Sequence, residues 1–306
     1  MRSPNRKRSP VMEKKHIFTG AATAIVTPMT ESGVDYDALG NLIDWQIASG
    51  ISAIVVCATT GEAPTLTDNE HCKVLEFAIK RADGKIPIIA GTGSNDTGHA
   101  LMMTQYACAI GANAVLCVTP YYNKPTQAGL VASYTKLADA SSVPVILYNV
   151  PSRTGTNIEP ETYGILAEHP NIVGIKEANG RISKITETFR VVGDRMDIYS
   201  GNDDQIVPIL SMGGKGVISV LSNVMPAETA EICSRFFRGD IKGSAALQMK
   251  LLPLIHALFS QSNPIPVKAA LAKMGKIREL LRLPLTPMEE PFRTRLYGEL
   301  ETLGLI

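Results

Sequence analysis

The sequence of 306 residues carries almost no net charge and few cysteines, and both features exclude classes of protein. Lys and Arg total 30 against 29 Asp and Glu, a formal charge of +1, so no polyanion such as nucleic acid is indicated as a partner. No uninterrupted apolar run approaches the roughly 18 residues that a membrane-spanning helix needs. The cysteines are odd in number and lack CxxC or metal-ligand spacing, which favours a reducing, cytoplasmic compartment. They are Cys57, Cys72, Cys108, Cys117 and Cys233.

The first sixteen residues are basic, with Glu13 as their one acidic residue. A secretory signal peptide would require an apolar stretch after the basic start, and none follows here. We therefore expect residues 1–16 to form a disordered basic tail outside the folded domain.

From Thr19 onward, short apolar runs alternate with segments of helical periodicity. Eight such runs occur, at residues 22–26, 53–57, 87–90, 114–118, 145–148, 172–176, 196–200 and 217–220. Their spacing of roughly 20 to 35 residues fits one strand followed by one crossover helix. The pattern therefore predicts a (β/α)₈ barrel, a TIM barrel, over residues 17–238, in preference to an open doubly wound sheet.

The segments between the runs carry helix start and stop signals. Asp35 precedes an amphipathic segment that ends at Gly50. Thr67 and Glu70 have the spacing of a capping box, and Gly84 follows the end of that helix. After residue 238 the strand pattern stops, and helices are predicted at residues 240–258, 267–273 and 289–303. Residues 239–306 are therefore predicted to form a small C-terminal helical domain.

Lys176 ends one of the most apolar of the eight runs. Barrel enzymes place their catalytic groups at the carboxyl ends of the strands. Burial disfavours the charged form of an amine, and a neutral amine is a nucleophile toward carbonyl carbon. A lysine that extends from a strand end into water is the alternative interpretation. Lys268 is a competing candidate, but it follows two prolines in a helical segment and does not end a strand.

Other predicted strand ends supply groups that an imine-forming mechanism needs. Tyr148 ends the strand before that of Lys176, about 5 Å away across a parallel pair, and its hydroxyl can donate and accept a proton. Thr59 and Thr60, with the amides of a glycine turn, can bind a carboxylate. Arg153 lies in a turn and can grip a second carboxylate bidentately. In isolation each also fits a structural role, such as a core tyrosine or a solvated arginine.

Seven motifs, in this order and spacing, resemble the dihydrodipicolinate synthase family, also called 4-hydroxy-tetrahydrodipicolinate synthase, of the pyruvate-dependent class I aldolase superfamily. They are TTGE (59–62), GTG (91–93), TPYYN (119–123), YNVPSRTG (148–155), GIKE (174–177), SGND (200–203) and GVISV (216–220). TTGE or GIKE alone would mark only the superfamily, whereas YNVPSRTG with TPYYN is much more specific. The resemblance extends from about residue 18 to 305 and includes NPIPVK at 263–268.

The resemblance implies a set of catalytic residues. Lys176 would form an imine with pyruvate, and Tyr148 would be the proton donor and acceptor. Thr59 and Tyr122 would complete a proton relay, with Tyr122 contributed across a tight dimer interface.

The resemblance also implies the substrates and the assembly. Thr60, Gly201 and Ile218 would hold pyruvate, and Arg153 would bind the carboxylate of L-aspartate-4-semialdehyde. The reaction belongs to the diaminopimelate route of lysine biosynthesis. Such enzymes are typically cytoplasmic homotetramers, dimers of dimers, without a metal or nucleotide cofactor.

The family's feedback site for L-lysine matches only in part. Asn95, His71 and Tyr121 agree with the lysine-sensitive form, but Pro64 replaces a small residue and Asp68 a histidine. His99 replaces a glutamate that would grip the ammonium of the effector. Loss of such a charge-assisted contact commonly costs about 1.5–3 kcal/mol. The resemblance therefore predicts weak or absent inhibition by lysine.

Several other functions fit part of the sequence. N-acetylneuraminate lyase or a 2-keto-3-deoxy sugar-acid aldolase would share Lys176 and Tyr148, but a polyhydroxylated substrate needs no cation at Arg153. A phosphate-binding TIM barrel without Schiff-base chemistry is suggested by the glycine-rich residues 213–216. A binding protein on an inactive barrel would not need the complete set of reactive groups. The five histidines have no HxH or HxxxH spacing, so no metal site is predicted.

Overall fold

A computed structural model describes residues 14–306. Eight parallel strands close into a barrel in the order β1-β10-β9-β8-β7-β6-β5-β4, and a short antiparallel hairpin joins β2 and β3. The strands are β1 (Gly20–Ala24), β2 (Met29–Thr30), β3 (Gly33–Val34), β4 (Ala53–Val56), β5 (Ile88–Gly91), β6 (Ala114–Val118), β7 (Val145–Asn149), β8 (Ile172–Glu177), β9 (Asp197–Ser200) and β10 (Gly216–Ser219). The predicted TIM barrel is confirmed, and every predicted run coincides with a barrel strand to within two residues.

Helices surround the barrel and follow its strands. They are α1 (Tyr36–Ala48), α2 (Asp68–Ala82), α3 (Thr97–Ala109), α4 (Gln127–Ala140), α5 (Pro151–Thr154), α6 (Pro160–Leu166), α7 (Ile182–Val192), α8 (Ile206–Ser211), α9 (Pro226–Phe237), α10 (Ile241–Leu258), α11 (Ile265–Lys273) and α12 (Phe292–Thr302). No helix within residues 14–306 is both long and apolar enough to cross a bilayer.

The predicted helix signals hold in the structure. The Asp35 side chain accepts the backbone N–H of Ala38 at 3.0 Å and so caps α1. Thr67 and Glu70 form the predicted capping box of α2, in which each side chain accepts the backbone N–H of the other. Such caps satisfy N–H groups that the first helical turn leaves without partners, which is why they can be recognised from spacing alone.

The barrel strands are buried on both faces, as parallel strands usually are. The inward faces form one apolar cluster that includes Ile89, Ile146, Tyr148, Tyr199 and Ile218. The outward faces pack against the helices in a second, larger cluster. Side chains alternate along a strand, so of two neighbouring residues at a strand end one points into the barrel and the other points toward the helices.

The C-terminal helices pack against the carboxyl end of the barrel. Lys268 of α11 reaches Glu62, in the turn after β4, with Nζ 2.5 Å from Oε1. Its Nζ also donates to the backbone carbonyl of Thr27, at 3.0 Å. Gln248 of α10 donates to the carbonyl of Asp204 at 2.8 Å. These contacts place residues of the C-terminal segment beside the strand ends where the candidate site lies.

The described part of the chain begins at Lys14, and this residue already contacts the barrel. The Lys14 amine donates to the backbone carbonyls of Ala167 and Ile172, at 2.6 and 2.7 Å. His16 is 2.6 Å from the carboxylate of Asp197. The expectation of a disordered tail therefore does not hold for Lys14 and His16, whereas residues 1–13 lie outside the described residues.

Candidate active site

Lys176 and Tyr148 occupy adjacent strands at the same register position, β8 and β7. Both are buried, with 3% and 6% of their surfaces exposed. The Lys176 amine lies over the Tyr148 ring, with Nζ 4.3 Å from the ring centroid. Within residues 14–306, no atom is hydrogen-bonded to this amine. The predicted nucleophile and proton donor are thus neighbours, and the amine is not engaged in an ion pair.

The next register pair, Asn149 and Glu177, faces the helices and joins the same two strands. The Asn149 amide donates to both carboxylate oxygens of Glu177, at 3.0 and 3.3 Å. The hydroxyl of Tyr163 and the backbone N–H of Asn179 each donate to Glu177 at 2.9 Å. This buried network fixes β7 against β8 directly beside Tyr148 and Lys176. Sequence reasoning did not identify it.

Burial raises the pKa of Glu177 from its ordinary 4.5 to about 7, against the opposing effect of its hydrogen bonds. A raised carboxyl pKa stabilises the fold fully below pH 4.5, and that contribution is lost as the pH rises through 7. The shift corresponds to a stability change on the order of 3 kcal/mol. We expect Glu177→Gln, which cannot titrate, to lose this pH dependence.

Thermal melting between pH 4.5 and pH 8 measures this effect. The melting temperature of the wild type should fall more steeply than that of Glu177→Gln across this interval. Parallel profiles for the two proteins would show that Glu177 does not titrate there.

Thr59, Arg153 and Asn263 join Tyr148 in the lining of a cavity of about 500 Å³ at the carboxyl end of the barrel. Arg153 lies in the short helix α5, and its guanidinium donates to the backbone carbonyl of Asn263 at 3.2 Å. Thr60 is buried and its hydroxyl accepts the side-chain N–H of Asn263 at 2.9 Å. Three predicted site residues therefore share one cavity, and a residue of the C-terminal segment joins them.

The ends of β9 and β10 form a tight, buried turn region. The backbone N–H of Gly201 donates to the carbonyl of Glu177 at 2.7 Å, and a Cβ at Gly201 would lie 2.7 Å from that of Ala178. Asp203 accepts the backbone N–H groups of Val220 and Leu221 at 3.0 and 2.9 Å. Asp203 therefore fixes the chain just after β10.

The remaining pyruvate-site residues lie outside the cavity lining. Thr60, Gly201 and Ile218, like Lys176 itself, are not among the residues that line the cavity. Ile218 is fully buried in the inward-facing cluster that also contains Tyr148.

Tyr122 does not meet the other predicted relay residues within this chain. Its surface is 89% exposed, and its backbone adopts a φ of +69°, in the left-handed region. Thr59 and Tyr148 line the cavity, whereas Tyr122 does not. The Tyr122 side chain is therefore available for contact with another molecule.

Most of the predicted effector positions line the same cavity. They are Pro64, Asp68, His71, His99 and Tyr121. His99 Nε2 lies 3.0 Å from Asp68 Oδ1, so two of the three residues that depart from the lysine-sensitive pattern pair with each other. Asn95 is not among the residues that line the cavity. Its backbone carbonyl accepts the side-chain N–H of Asn123 at 2.9 Å.

The structure also bears on the rival sites. Lys268 is fully buried and paired with Glu62, so its amine is already engaged. The glycine-rich residues 213–216 precede β10 and so lie at the amino end of the barrel, opposite the usual ligand-binding end. Within residues 14–306, no group of three or more His, Cys, Asp or Glu side chains is arranged to hold a metal ion.

A sequence model of the Dihydrodipicolinate synthetase family matches residues 17–303. The chain belongs to this family. Its curated relatives include the 4-hydroxy-tetrahydrodipicolinate synthase of Acetivibrio thermocellus, 50% identical over 293 residues, which cover 96% of this chain and 100% of the relative. That of Lachnoclostridium phytofermentans is 51% identical over 292 residues, 95% of this chain and 99% of the relative.

Solved structures of family members agree with the fold. Dihydrodipicolinate synthase from Thermotoga maritima is 44% identical and superposes with a TM-score of 0.93, over 95% of this chain and 100% of that structure. The enzyme from Aquifex aeolicus is 43% identical, with a TM-score of 0.92 over 94% and 99% of the two chains. The resemblance found in the motifs is confirmed, and the chain is an enzyme, a lyase of the class I aldolase type.

Proposed function

We propose that this member of the family condenses pyruvate, held as an imine on Lys176, with L-aspartate-4-semialdehyde. This is the 4-hydroxy-tetrahydrodipicolinate synthase reaction of the diaminopimelate route to lysine. The observation that carries the proposal is the register pair of Lys176 and Tyr148, in which a buried amine lies 4.3 Å from the tyrosine ring centroid and has no ion-pair partner among residues 14–306.

The first stage converts pyruvate into a carbon nucleophile. The nitrogen lone pair of the Lys176 amine attacks the keto carbon of pyruvate and forms a carbinolamine. Tyr148 donates a proton to the carbinolamine oxygen, which leaves as water, and an imine remains. Loss of a proton from the methyl group then gives the enamine. The hydroxyl of Thr59 lies in the same cavity as Tyr148, and it suits the role of relaying a proton back to the Tyr148 hydroxyl.

The second stage forms the carbon–carbon bond and releases the enzyme. The enamine carbon attacks the aldehyde carbon of L-aspartate-4-semialdehyde, whose oxygen takes a proton. The amine of that substrate then attacks the imine carbon, the ring closes, and Lys176 leaves as the free amine. No oxidant or reductant takes part, so the chemistry needs one nucleophilic amine and acid–base groups.

Two sets of residues are proposed to bind the carboxylates. Thr60, Gly201 and Ile218 hold the pyruvate moiety, with the Thr60 hydroxyl as a donor. Arg153 binds the carboxylate of the second substrate, because a guanidinium offers paired donors to a carboxylate. Its place in the lining of the cavity beside Tyr148 and Thr59 supports this role.

The exposed position of Tyr122 favours a relay completed across a dimer interface. We propose that Tyr122 enters the site of a neighbouring copy, in a homotetramer built as a dimer of dimers. A cytoplasmic location and the division into a barrel at 17–238 and a helical domain at 239–306 belong to the same proposal.

The choice of second substrate is tested by comparing the two aldehydes in separate assays. The enzyme is assayed with pyruvate and either L-aspartate-4-semialdehyde or a sugar aldehyde, and kcat/KM is compared. We expect a strong preference for the semialdehyde, which Arg153→Ala should reduce through a higher KM for that substrate. Preference for the sugar aldehyde would assign the enzyme to the sugar-acid aldolases instead.

Removing the Tyr148 hydroxyl should slow the chemical steps. In Tyr148→Phe the carbinolamine loses its proton donor, and we expect kcat to fall about a hundredfold or more. Tyr106→Phe is the matched control, because Tyr106 lies in α3 outside the cavity lining and its hydroxyl donates to the exposed carboxylate of Glu76. Unchanged kcat in Tyr148→Phe would remove Tyr148 from the mechanism.

Inhibition by L-lysine should be weak or absent. His99 and Asp68 pair with each other, and a histidine stands where the lysine-sensitive form has a carboxylate for the effector's ammonium. His99→Glu should tighten lysine inhibition about 10- to 100-fold, as one charge-assisted hydrogen bond would. Titrating L-lysine into the steady-state assay measures both proteins. A submillimolar inhibition constant for the wild type would contradict the prediction.

A further inference from the structure

Asn263 contacts a group from each of the two proposed carboxylate sites. It lies between α10 and α11, lines the cavity and is 6% exposed. Its side-chain N–H donates to the Thr60 hydroxyl at 2.9 Å. Its backbone carbonyl accepts a guanidinium N–H of Arg153 at 3.2 Å. Nothing in the strand-end pattern identifies this residue, because it follows a helix outside the barrel.

The bond to Thr60 determines what that hydroxyl can offer a ligand. A threonine hydroxyl has one proton to donate and lone pairs that accept. The Asn263 N–H occupies an acceptor position, so the hydroxyl keeps its own proton for a ligand. Within residues 14–306, the Thr60 hydroxyl makes no other hydrogen bond, and no competing acceptor takes that proton. Thr60 is therefore held as a donor, which is the role that a carboxylate requires.

The side chain and the backbone of Asn263 act on different partners. The amide oxygen Oδ1 has no hydrogen-bond partner within residues 14–306. Removing the side chain therefore breaks one protein hydrogen bond, that to Thr60. The contact to Arg153 is made by the backbone carbonyl and survives any substitution that keeps the backbone in place. This separation allows the two contacts to be tested independently.

We propose that Asn263 is a positioning residue for pyruvate, which orients the Thr60 hydroxyl toward the pyruvate carboxylate through its side-chain N–H. The inference rests on the proposed function, because it assigns pyruvate to Thr60. Asn263 does not touch the reacting atoms and acts through Thr60 alone. The C-terminal segment thereby contributes to substrate binding in the barrel.

The test compares pyruvate saturation in Asn263 variants of the full-length enzyme. The readout is the pyruvate concentration that half-saturates borohydride trapping, together with the KM for each substrate. Asn263→Ala should raise the half-saturating pyruvate concentration about tenfold, as loss of one hydrogen bond would, and leave the KM for L-aspartate-4-semialdehyde nearly unchanged. Asn263→Asp should have a larger effect, because its carboxylate takes the Thr60 proton and repels that of pyruvate.

Two controls separate positioning from a structural role. Gln261→Ala changes the same segment at a side chain whose one hydrogen bond among residues 14–306 is to the backbone N–H of Glu289, and it should leave pyruvate saturation unchanged. Adding Asn263→Ala to Thr60→Val should have no further effect on pyruvate binding, because the partner hydroxyl is already absent. Additive effects, or equal rises in KM for both substrates, would overturn the inference.

The trapping experiment also separates this inference from the proposed function. If the wild type forms an adduct at Lys176 and Asn263→Ala shows the same half-saturating pyruvate concentration, the positioning role alone is refuted. If the wild type forms no adduct at Lys176, the proposed function fails and the inference fails with it.

Discussion

Replacing Lys176 by alanine should abolish imine formation and lower the turnover rate by about 10⁴-fold or more, because the covalent step loses its nucleophile. Wild-type enzyme incubated with pyruvate and reduced with borohydride should gain the mass of a reduced adduct on the peptide that contains Lys176. The alanine variant should gain none. The Lys176 side chain reaches no ion-pair partner within the described residues, so its removal leaves no buried counter-charge unpaired.

The control for this experiment is Lys215→Ala. Lys215 is exposed and precedes β10 at the opposite end of the barrel, so this variant should be trapped as fully as the wild type. Peptide mapping also decides between the two buried lysines. An adduct on Lys268, or full trapping in Lys176→Ala, would overturn the mechanism.

Replacing Lys268 by methionine should destabilise the fold by about 3–5 kcal/mol, since a buried charge would lose its partner. Lys268 and Glu62 have no exposed side-chain surface, and their charged atoms are 2.5 Å apart. Glu62 also accepts the backbone N–H of Arg282 at 3.2 Å, so the pair links the turn after β4 to the C-terminal segment. Burial lowers the pKa of Lys268, and the Glu62 carboxylate opposes that shift. Thermal or urea unfolding measures the loss.

A matched ion pair on the surface shows whether burial is the cause of the stability loss expected for Lys268→Met. Lys184 and Glu187 pair at 3.2 Å with about half of each side chain exposed, so Lys184→Met should cost at most about 1 kcal/mol. Combining Lys268→Met with Glu62→Gln should recover part of the lost stability, because no unpaired charge remains. At a temperature where it stays folded, Lys268→Met should still form the adduct on Lys176. Equal losses in the two lysine variants would show that the buried pair is not a stabilising ion pair.

The sequence predicted the barrel because its information is local. Each strand is a short apolar run such as residues 114–118, and each helix begins at a signal such as Asp35 or the Thr67–Glu70 box. These features involve neighbours within a few residues, so spacing reveals them. The strand-end rule then placed Lys176 and Tyr148 together, and the register of β7 and β8 confirms that they are adjacent.

Other parts of the site depend on contacts between residues far apart in the chain. Asn263 meets Thr60 across 203 positions and Arg153 across 110, and no local pattern encodes either contact. The network of Glu177 was missed for a related reason. GIKE marks the strand end, but only the packing of β7, β8 and α6 shows that its glutamate accepts from Asn149 and Tyr163.

The two buried lysines, Lys176 and Lys268, show most clearly what the sequence determines and what depends on the tertiary structure. Sequence alone established the barrel, the strand that carries Lys176 near its end and the resemblance to a family whose chemistry uses such a lysine. It ranked Lys268 below Lys176 but had no means of showing what Lys268 does. The folded chain brings Lys268 to Glu62, 206 positions away, while Lys176 lies beside Tyr148 and has no counterion in the part of the chain that the structure describes. Burial alone makes a lysine unusual, but the partner that folding supplies determines whether its amine is held in an ion pair or available to react.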